Sequence, residues 1–440
     1  MSSNSTNTLN ELSGQTPCHY SFLYAYLFVF LIFGFYFYEL IDFGPLDEIF
    51  EVLLVLISAI YLYEGRLLKP KKDLIIFSCT ALFYVVYSFL IHSNSPKAIL
   101  IDTSIQLKPY IAFFVFYYLG VRFSITNKKI LSFLLIGFFC ISFLVAVFGL
   151  GTGNLVDAMK FIYHHPARYA SALVLVGLYY LYSTEYTRKT AIFFIIVLSL
   201  ALLSGKAKTF GFYSAALFIM AISYFRIKLK FNLKSFVLLA LFVSLILFVS
   251  WEKFAFYFLS FSVDDEESLA RPFLYLTAFY IFLDYFPFGS GLASFGTTAS
   301  GISYSDIYYQ YDLNTIWGLS PDFHSFVADT YYPSLAQFGV FGLALFIFFW
   351  VRIIKEALFY LKKTADRKSF MIIIMVIIFL AIELIADAAF TNNRGYISMI
   401  LIALCLNEMK YKCENLNAPA ELESMVVTTD KPEVLNEEPY

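Results

Sequence analysis

The sequence predicts an all-α, polytopic transmembrane helical bundle of about twelve spans, with one large outer loop containing short helices. Three observations predict it: 60% of residues are hydrophobic while only 15% are charged, apolar runs of helix-spanning length recur along the chain, and lysine and arginine divide unevenly between alternate loops. A soluble domain is roughly 45–50% apolar with about a quarter of its residues charged. The apolar excess here needs lipid, as does a mean hydropathy of +0.72. A net charge of -2 offers neither a basic surface for nucleic acid nor an acidic solvating tail.

Residues 1–20, rich in Ser, Thr and Asn with no basic start, read as a disordered cytoplasmic tail and not as a cleavable signal. A hydrocarbon core of about 30 Å takes about 20 apolar residues per helix. Runs of that order fall at 21–41, 49–63, 74–91, 104–121, 130–150, 166–183, 190–204, 209–225 and 235–251, giving nine membrane helices within 21–251. Three more, at 331–351, 370–390 and 396–406, occupy 331–406 and leave 407–440 as a second cytoplasmic tail. The runs are long and do not alternate, which excludes a β-barrel.

Of the 31 basic residues, 22 fall in one set of alternate loops and nine in the other. The positive-inside rule makes the dense set cytoplasmic and so puts both termini in the cytoplasm. A missed or invented span would invert every later loop and erase that asymmetry. The sparse, outer set includes Arg168, Lys206, Lys208, Arg271 and Arg394.

The loop at 252–330 is outer, long and too aromatic to be disordered. Within it, 272–286 is apolar but short of a span. Opened by Arg271-Pro272 and closed by Pro287, it reads as a re-entrant or interfacial helix. Ser320-Pro321-Asp322 carries the signals of a second helix start, with a capping serine, a proline at the first position and an acid in the first turn. That helix is expected to run unbroken to about residue 351. On it Asp322, Ser325 and Asp329 share one face, and His324 shares another with Ala328 and Tyr331.

The few outer charges carry the chemistry. Lys206 and Lys208, in a short hairpin, either snorkel to the interface or bind an anion. Arg271 either pairs with the acidic run 264–267 or forks onto a phosphate, helped by the backbone donors of a helix start. Three cations at one lipid surface suggest a pyrophosphate. His324 is a residue type that can serve as a general base but also has the profile of a solvated bystander, as do the weaker candidates His164 and His165 beside Arg168. Glu383 and Asp387, four apart in one expected span, either pair with a cation such as Arg394 or line a substrate path. The sequence has no Walker loop, no HExxH, no GxGxxG and no metal-spaced His/Cys cluster, so ATP-driven and zinc chemistry gain no support.

Three segments, LLSGKAKTFGF (202–212), ARPFLYLTAFYIFLDYFPFGSGLASFG (270–296) and HSFVADTYYPSLAQFGVFGL (324–343), give the chain a resemblance to the bacterial O-antigen ligase and polysaccharide repeat-unit polymerase family. The family's long span ends in a Gly-x-x-Gly pair, here Gly339 and Gly342. His324-Ser325 stands about one helical turn further upstream of that pair than in ligases, and the Asp329-Thr-Tyr-Tyr-Pro run and the lysine hairpin look more like polymerases. The resemblance implies a glycosyltransferase of the bacterial cytoplasmic membrane acting on its outer side. Its donor would be an undecaprenyl-pyrophosphate-linked oligosaccharide, and flippase and chain-length regulator proteins would be its partners.

In that reading Arg271, Lys206, Lys208 and Arg168 neutralise the leaving pyrophosphate, and His324 or Asp329 takes the acceptor proton. Asp322 joins the substrate site, and tyrosines such as Tyr308 and Tyr331 meet the sugars. Neither a cofactor nor a metal is called for. A ligase that moves finished glycan onto lipid A-core is the alternative within the class. A transporter or flippase of the lipid-linked unit, kept open by Glu383 and Asp387, is the alternative outside it.

Overall fold

The computed structural model describes residues 21–34, 46–63, 72–224 and 266–429. The expected tail at 1–20, the expected span at 235–251 and the loop residues 252–265 lie outside the described residues, as do 430–440.

Every regular element among the described residues is helical. In chain order the α-helices are α1 (Ser21–Ile32), α2 (Leu46–Tyr63), α3 (Lys72–Leu90), α4 (Pro96–Tyr118), α5 (Ile125–Gly151), α6 (Leu155–Tyr163), α7 (Pro166–Ser183), α8 (Arg188–Ala201), α9 (Ala207–Tyr224), α10 (Glu266–Asp284), α11 (Thr298–Ile302), α12 (Asp306–Gln310), α13 (Gly339–Thr364), α14 (Arg367–Glu383) and α15 (Asn393–Thr429). By length and composition α3, α4, α5 and the segment Tyr332–Thr364, which contains α13, could each cross a membrane. Their surroundings fit that use. On α5, Phe133, Leu144 and Phe148 are more than half exposed, which water would penalise and hydrocarbon does not.

The helix starts follow local chemistry. Ser95 caps α4 by accepting from the Ala98 amide, with Pro96 at the first position, and Ser124 caps α5 through Asn127. Thr187 and Thr190 form a reciprocal capping box on α8, so donors that would otherwise be orphaned are satisfied.

The centre of the bundle is α15. Its residues Met399 to Leu406 are fully buried apart from traces, and it packs on α4, α13 and α14. Asn407 donates to the Phe116 and Val121 carbonyls at 2.9 and 3.1 Å, satisfying the C-terminal end of α4. The helix expected to end at 406 does not end there. The helix continues to Thr429, anchored beyond 406 by Lys128–Glu408 at 2.6 Å and Lys412–Asp366 at 2.5 Å.

The unbroken helix expected from Ser320 is also corrected. Residues 311–331 turn repeatedly, a 3-10 segment covers Tyr332–Phe338, and α13 begins only at Gly339. Pro333 has no amide to donate, and within an α-helix its ring would strike the carbonyl of Asp329. Gly339 then takes φ +59, so it cannot continue a helix from below.

That break interlocks with the preceding loop. A Cβ on Gly289 would sit 2.3 Å from the Gly339 amide nitrogen, and one on Gly339 would sit 2.3 Å from that of Gly289. Two backbones therefore touch where only glycine fits. Phe341 donates to the Pro287 carbonyl at 3.1 Å and Gly291 to that of Gln337 at 2.9 Å. The hydroxyls of Tyr84 and Tyr87 on α3 donate to Phe338 and Gly289. The buried Asp102 carboxylate on α4 accepts the Ala293 amide at 2.7 Å. Residues 287–293 thus rest on a seat made by α3 and α4.

Candidate functional site

The helix α14 ends at Glu383, and the chain passes through turns and a 3-10 step (Ala389–Thr391) before α15 opens at Asn393. Glu383 and Asp387 therefore do not share one helix face within a continuous span, as their spacing predicts. The break brings them together by another route. Arg394, in the first turn of α15, reaches back with both terminal nitrogens to Asp387 at 2.6 and 2.8 Å and touches Glu383 at 3.3 Å. Lys208, in the first turn of α9, donates to Glu383 at 2.7 Å and Asp387 at 3.1 Å.

Ser171 of α7 donates to the other Glu383 oxygen at 3.1 Å. Two cations and two carboxylates thus form one charge-balanced network drawn from α7, α9, α14 and α15. Glu383 is 4% exposed and Arg394 9%, so withdrawing either partner would strand a buried charge, at a cost of about 3–5 kcal/mol.

A second ion pair lies beside it. Arg271 donates through Nε to the Asp329 Oδ2 at 2.7 Å, and its Nη2 contacts the same oxygen. Burial pushes the Asp329 carboxyl above the usual carboxylate range even though Arg271 opposes that shift, and the fields of Asp387 and Lys208 reach it too. The elements that carry this pair are tied to the broken end of α14. Tyr275 on α10 donates to the Ile385 carbonyl at 2.9 Å, Tyr332 to that of Ala381 at 3.0 Å, and the Tyr331 amide to that of Leu384 at 3.2 Å.

His165 sits at the start of α7 on the same ground. Its Nδ1 accepts the Ala167 amide at 3.1 Å, so that nitrogen is unprotonated and the ring presents Nε2–H. Burial, then Lys206, Lys208 and Arg168 in that order, push its pKa down to about 4. The ring is a neutral hydrogen-bond donor amid cations at physiological pH. Arg168 shares a small pocket with Arg394.

Of the residues expected at the site, Arg271, Asp329, Lys206, Lys208 and Arg168 fall within this constellation. Arg271 does so differently from expectation. Within the described residues α10 already runs from Glu266, five residues before Arg271. Arg271 is therefore inside the helix, and the backbone donors of its first turn are not beside the guanidinium.

His324 is not on a helix. Its Nδ1 lies 3.3 Å from the Pro321 carbonyl, and its ring packs over Gly301, where an added Cβ would come within 3.1 Å. Asp322 is exposed on the turn beside it. Tyr308 is fully buried, its hydroxyl taken by the Gly296 amide and Ser300, so its ring offers no face to a sugar. Tyr331 is 2% exposed and packs against Phe346 and Phe390; it is a core residue.

Arg394 is the member that reading by motif leaves aside. It lies outside all three resembling segments, although it is one of only nine basic residues in the sparse set. Compared with protein-family models and with curated protein sequences, the chain matches none.

Proposed function

We propose that this chain is a membrane glycosyltransferase that polymerises undecaprenyl-pyrophosphate-linked repeat units into a bacterial polysaccharide (O-antigen, capsule or exopolysaccharide). On this reading it spans the cytoplasmic membrane about twelve times, with both termini cytoplasmic, and works on the outer face. The observation that carries the reading is the convergence of Lys208, Arg271, Lys206 and Arg168 on one patch with Asp329 and a neutral His165. A lipid diphosphate is the donor that such a patch suits, since outside the membrane the sugar must bring its own leaving group.

The partly exposed pair Arg271–Asp329 opens to admit the diphosphate, whose oxygens replace Asp329 on the guanidinium, while Lys208 turns a further N–H to the diphosphate without leaving Glu383. The Arg271 fork and the Lys208 ammonium then meet charge that grows on the leaving group, a contact that strengthens in the transition state. The acceptor hydroxyl oxygen bonds to the anomeric carbon as the carbon–oxygen bond to the diphosphate breaks and takes its electron pair away. Asp329, freed from Arg271 and more basic than an ordinary carboxylate, receives the acceptor proton. Arg394 stays bound to Asp387 and Glu383 and holds them for Lys208.

Two features of the structure favour Asp329 over His324 as the base. The carboxylate lies against Arg271, and the imidazole packs on Gly301. The test is elongation of a lipid-linked repeat by the purified full chain in detergent, with no membrane gradient. Longer products support the polymerase. A chain that only moves finished glycan to a lipid A-core acceptor is a ligase, and one that does neither without a sealed gradient is no transferase.

A further inference from the structure

A cavity of about 700 Å³ lies between α3, α4 and α13. None of Lys208, Arg271, Asp329, Glu383, Asp387 or Arg394 lines it. Its volume is that of a ligand site, about 300–1,000 Å³, and its three walls belong to segments long and apolar enough to cross a membrane. On α3 the lining residues recur from Asp73 to Tyr84, which at 1.5 Å per residue is roughly 16 Å, about half the hydrocarbon thickness. The space is a slot along the helix axes.

The slot has a polar end and an open side. Lys72, Asp73 and Arg352 gather at one end, with Arg352 paired to Asp73; all its other lining residues are neutral. The slot itself thus presents two cations and one carboxylate; Glu356, one turn further along α13, acts on Arg352 from outside the lining, where the Tyr117 hydroxyl donates to it. At the far end the Tyr84 hydroxyl closes on the Phe338 carbonyl at 2.6 Å. Ile76 and Phe348 line the slot yet are 50% and 57% exposed, so it opens sideways onto the apolar flank of the bundle and not towards water.

We infer that this slot binds an anionic phospholipid, which enters sideways from the bilayer, lays a hydrocarbon chain along α3 and α13, and sets its phosphate at Lys72 and Arg352. The charge pattern selects this occupant over the tail of the glycan donor. Lys72 and Arg352 belong to the dense set of basic loops, whereas Lys208 and Arg271 belong to the sparse set, so a donor with its diphosphate at the latter enters from the other face. The inference needs a bilayer but not the transferase reading, and fails or holds independently of it.

The test is native mass spectrometry and lipid extraction on the full chain, exchanged into bilayer discs of phosphatidylglycerol and phosphatidylcholine and then washed in detergent. The wild type should retain phosphatidylglycerol over phosphatidylcholine by about fivefold, the preference of one basic side chain at a membrane surface. Ala81→Trp, which fills the slot midway, should abolish retention. Lys72→Ala, at an exposed position that folding does not depend on, should keep a bound lipid and lose the preference for the anionic headgroup. Washed protein that holds no phospholipid, holds both kinds equally, or holds a polyprenyl phosphate instead overturns the inference, as does a folded Ala81→Trp chain that retains lipid like the wild type.

Discussion

Replacing Asp329 by Asn separates a base from a strut. The pair it forms with Arg271 is partly open, with side-chain exposures of 29% and 21%, so solvent screens it and its net worth is at most about 1 kcal/mol. Burial already outweighs Arg271 in fixing the carboxyl, which titrates above its ordinary range. Asn keeps the shape and one acceptor oxygen and removes the charge that burial penalises. Its thermal midpoint should therefore stay within about 2 °C of the wild type. Turnover should fall by about 10²–10⁴, the loss expected when a positioned base is removed.

The pH dependence adds a second signature. A carboxyl whose folded pKa is raised contributes stability that is complete below its unfolded value, about 3.9, and is lost as pH rises through the folded value. The wild type should thus lose stability relative to Asp329→Asn over the same rise in which its activity increases. The assay is a pH series of chain elongation beside thermal unfolding of the same preparations. Activity within about threefold of wild type, against the expected 10²–10⁴, refutes the assignment, as does a variant that loses activity only by unfolding.

Three further outcomes follow from the same contacts. Arg271→Lys should lower elongation by about 10–100-fold, since an ammonium cannot make the forked contact with neighbouring oxygens; full activity would reduce Arg271 to a structural partner. Glu383→Gln leaves Lys208, Arg394 and a single carboxylate in a buried network, so it should lower stability by about 3–5 kcal/mol in denaturant or thermal unfolding, the cost of stranding a buried charge, and raise the donor KM more than it changes kcat. His165 titrates at about 4 in the fold against about 6.5 unfolded. A depressed pKa contributes stability present above the unfolded value and lost as pH falls through the folded one. The wild type should weaken on acidification between pH 6.5 and about 4, and His165→Asn, which keeps a capping acceptor, should weaken less over that window.

Much of this fold was legible because hydropathy is read over long runs. The run expected from 166 starts where α7 does, whereas those expected from 104 and 130 start inside α4 and α5, because such runs mark apolarity and omit the polar first turns capped by Ser95 and Ser124. Where the sequence misled, short-range signals met long-range ones. Ser320-Pro321-Asp322 has every local mark of a helix start, yet Pro333 and the Gly289–Gly339 contact cut the segment, and that contact joins residues fifty apart in sequence. The four-residue spacing of Glu383 and Asp387 implied one face, and the partnership instead forms where α14 ends at Glu383 and Lys208 and Arg394 bridge the two carboxylates. Tyr308 looked like a sugar platform because composition does not tell a ring at an interface from a ring in a core. The cations of the candidate site were found by their scarcity in one set of alternate loops, a property of the whole sequence that needs no contact to be seen.

The pairing of those cations bears on how such a site can work. A group of unpaired positive charges in a low-dielectric environment would be costly to fold, so on the proposed reading the carboxylates hold the place that an anionic donor would take during turnover. The pairs are not equally exchangeable. Arg394 is held by two bonds to Asp387 and is 10% exposed, whereas Lys208 is 15% and Arg271 21% exposed. A diphosphate can therefore engage Lys208 and Arg271 while Arg394 stays bound to Asp387, provided that Lys208 remains shared with Glu383 so that this buried carboxylate is not stranded. Each exchange trades one charged contact for another, so ground-state binding gains little. The gain comes later, when the departing diphosphate carries more charge than the carboxylates did, which is where a catalyst needs it.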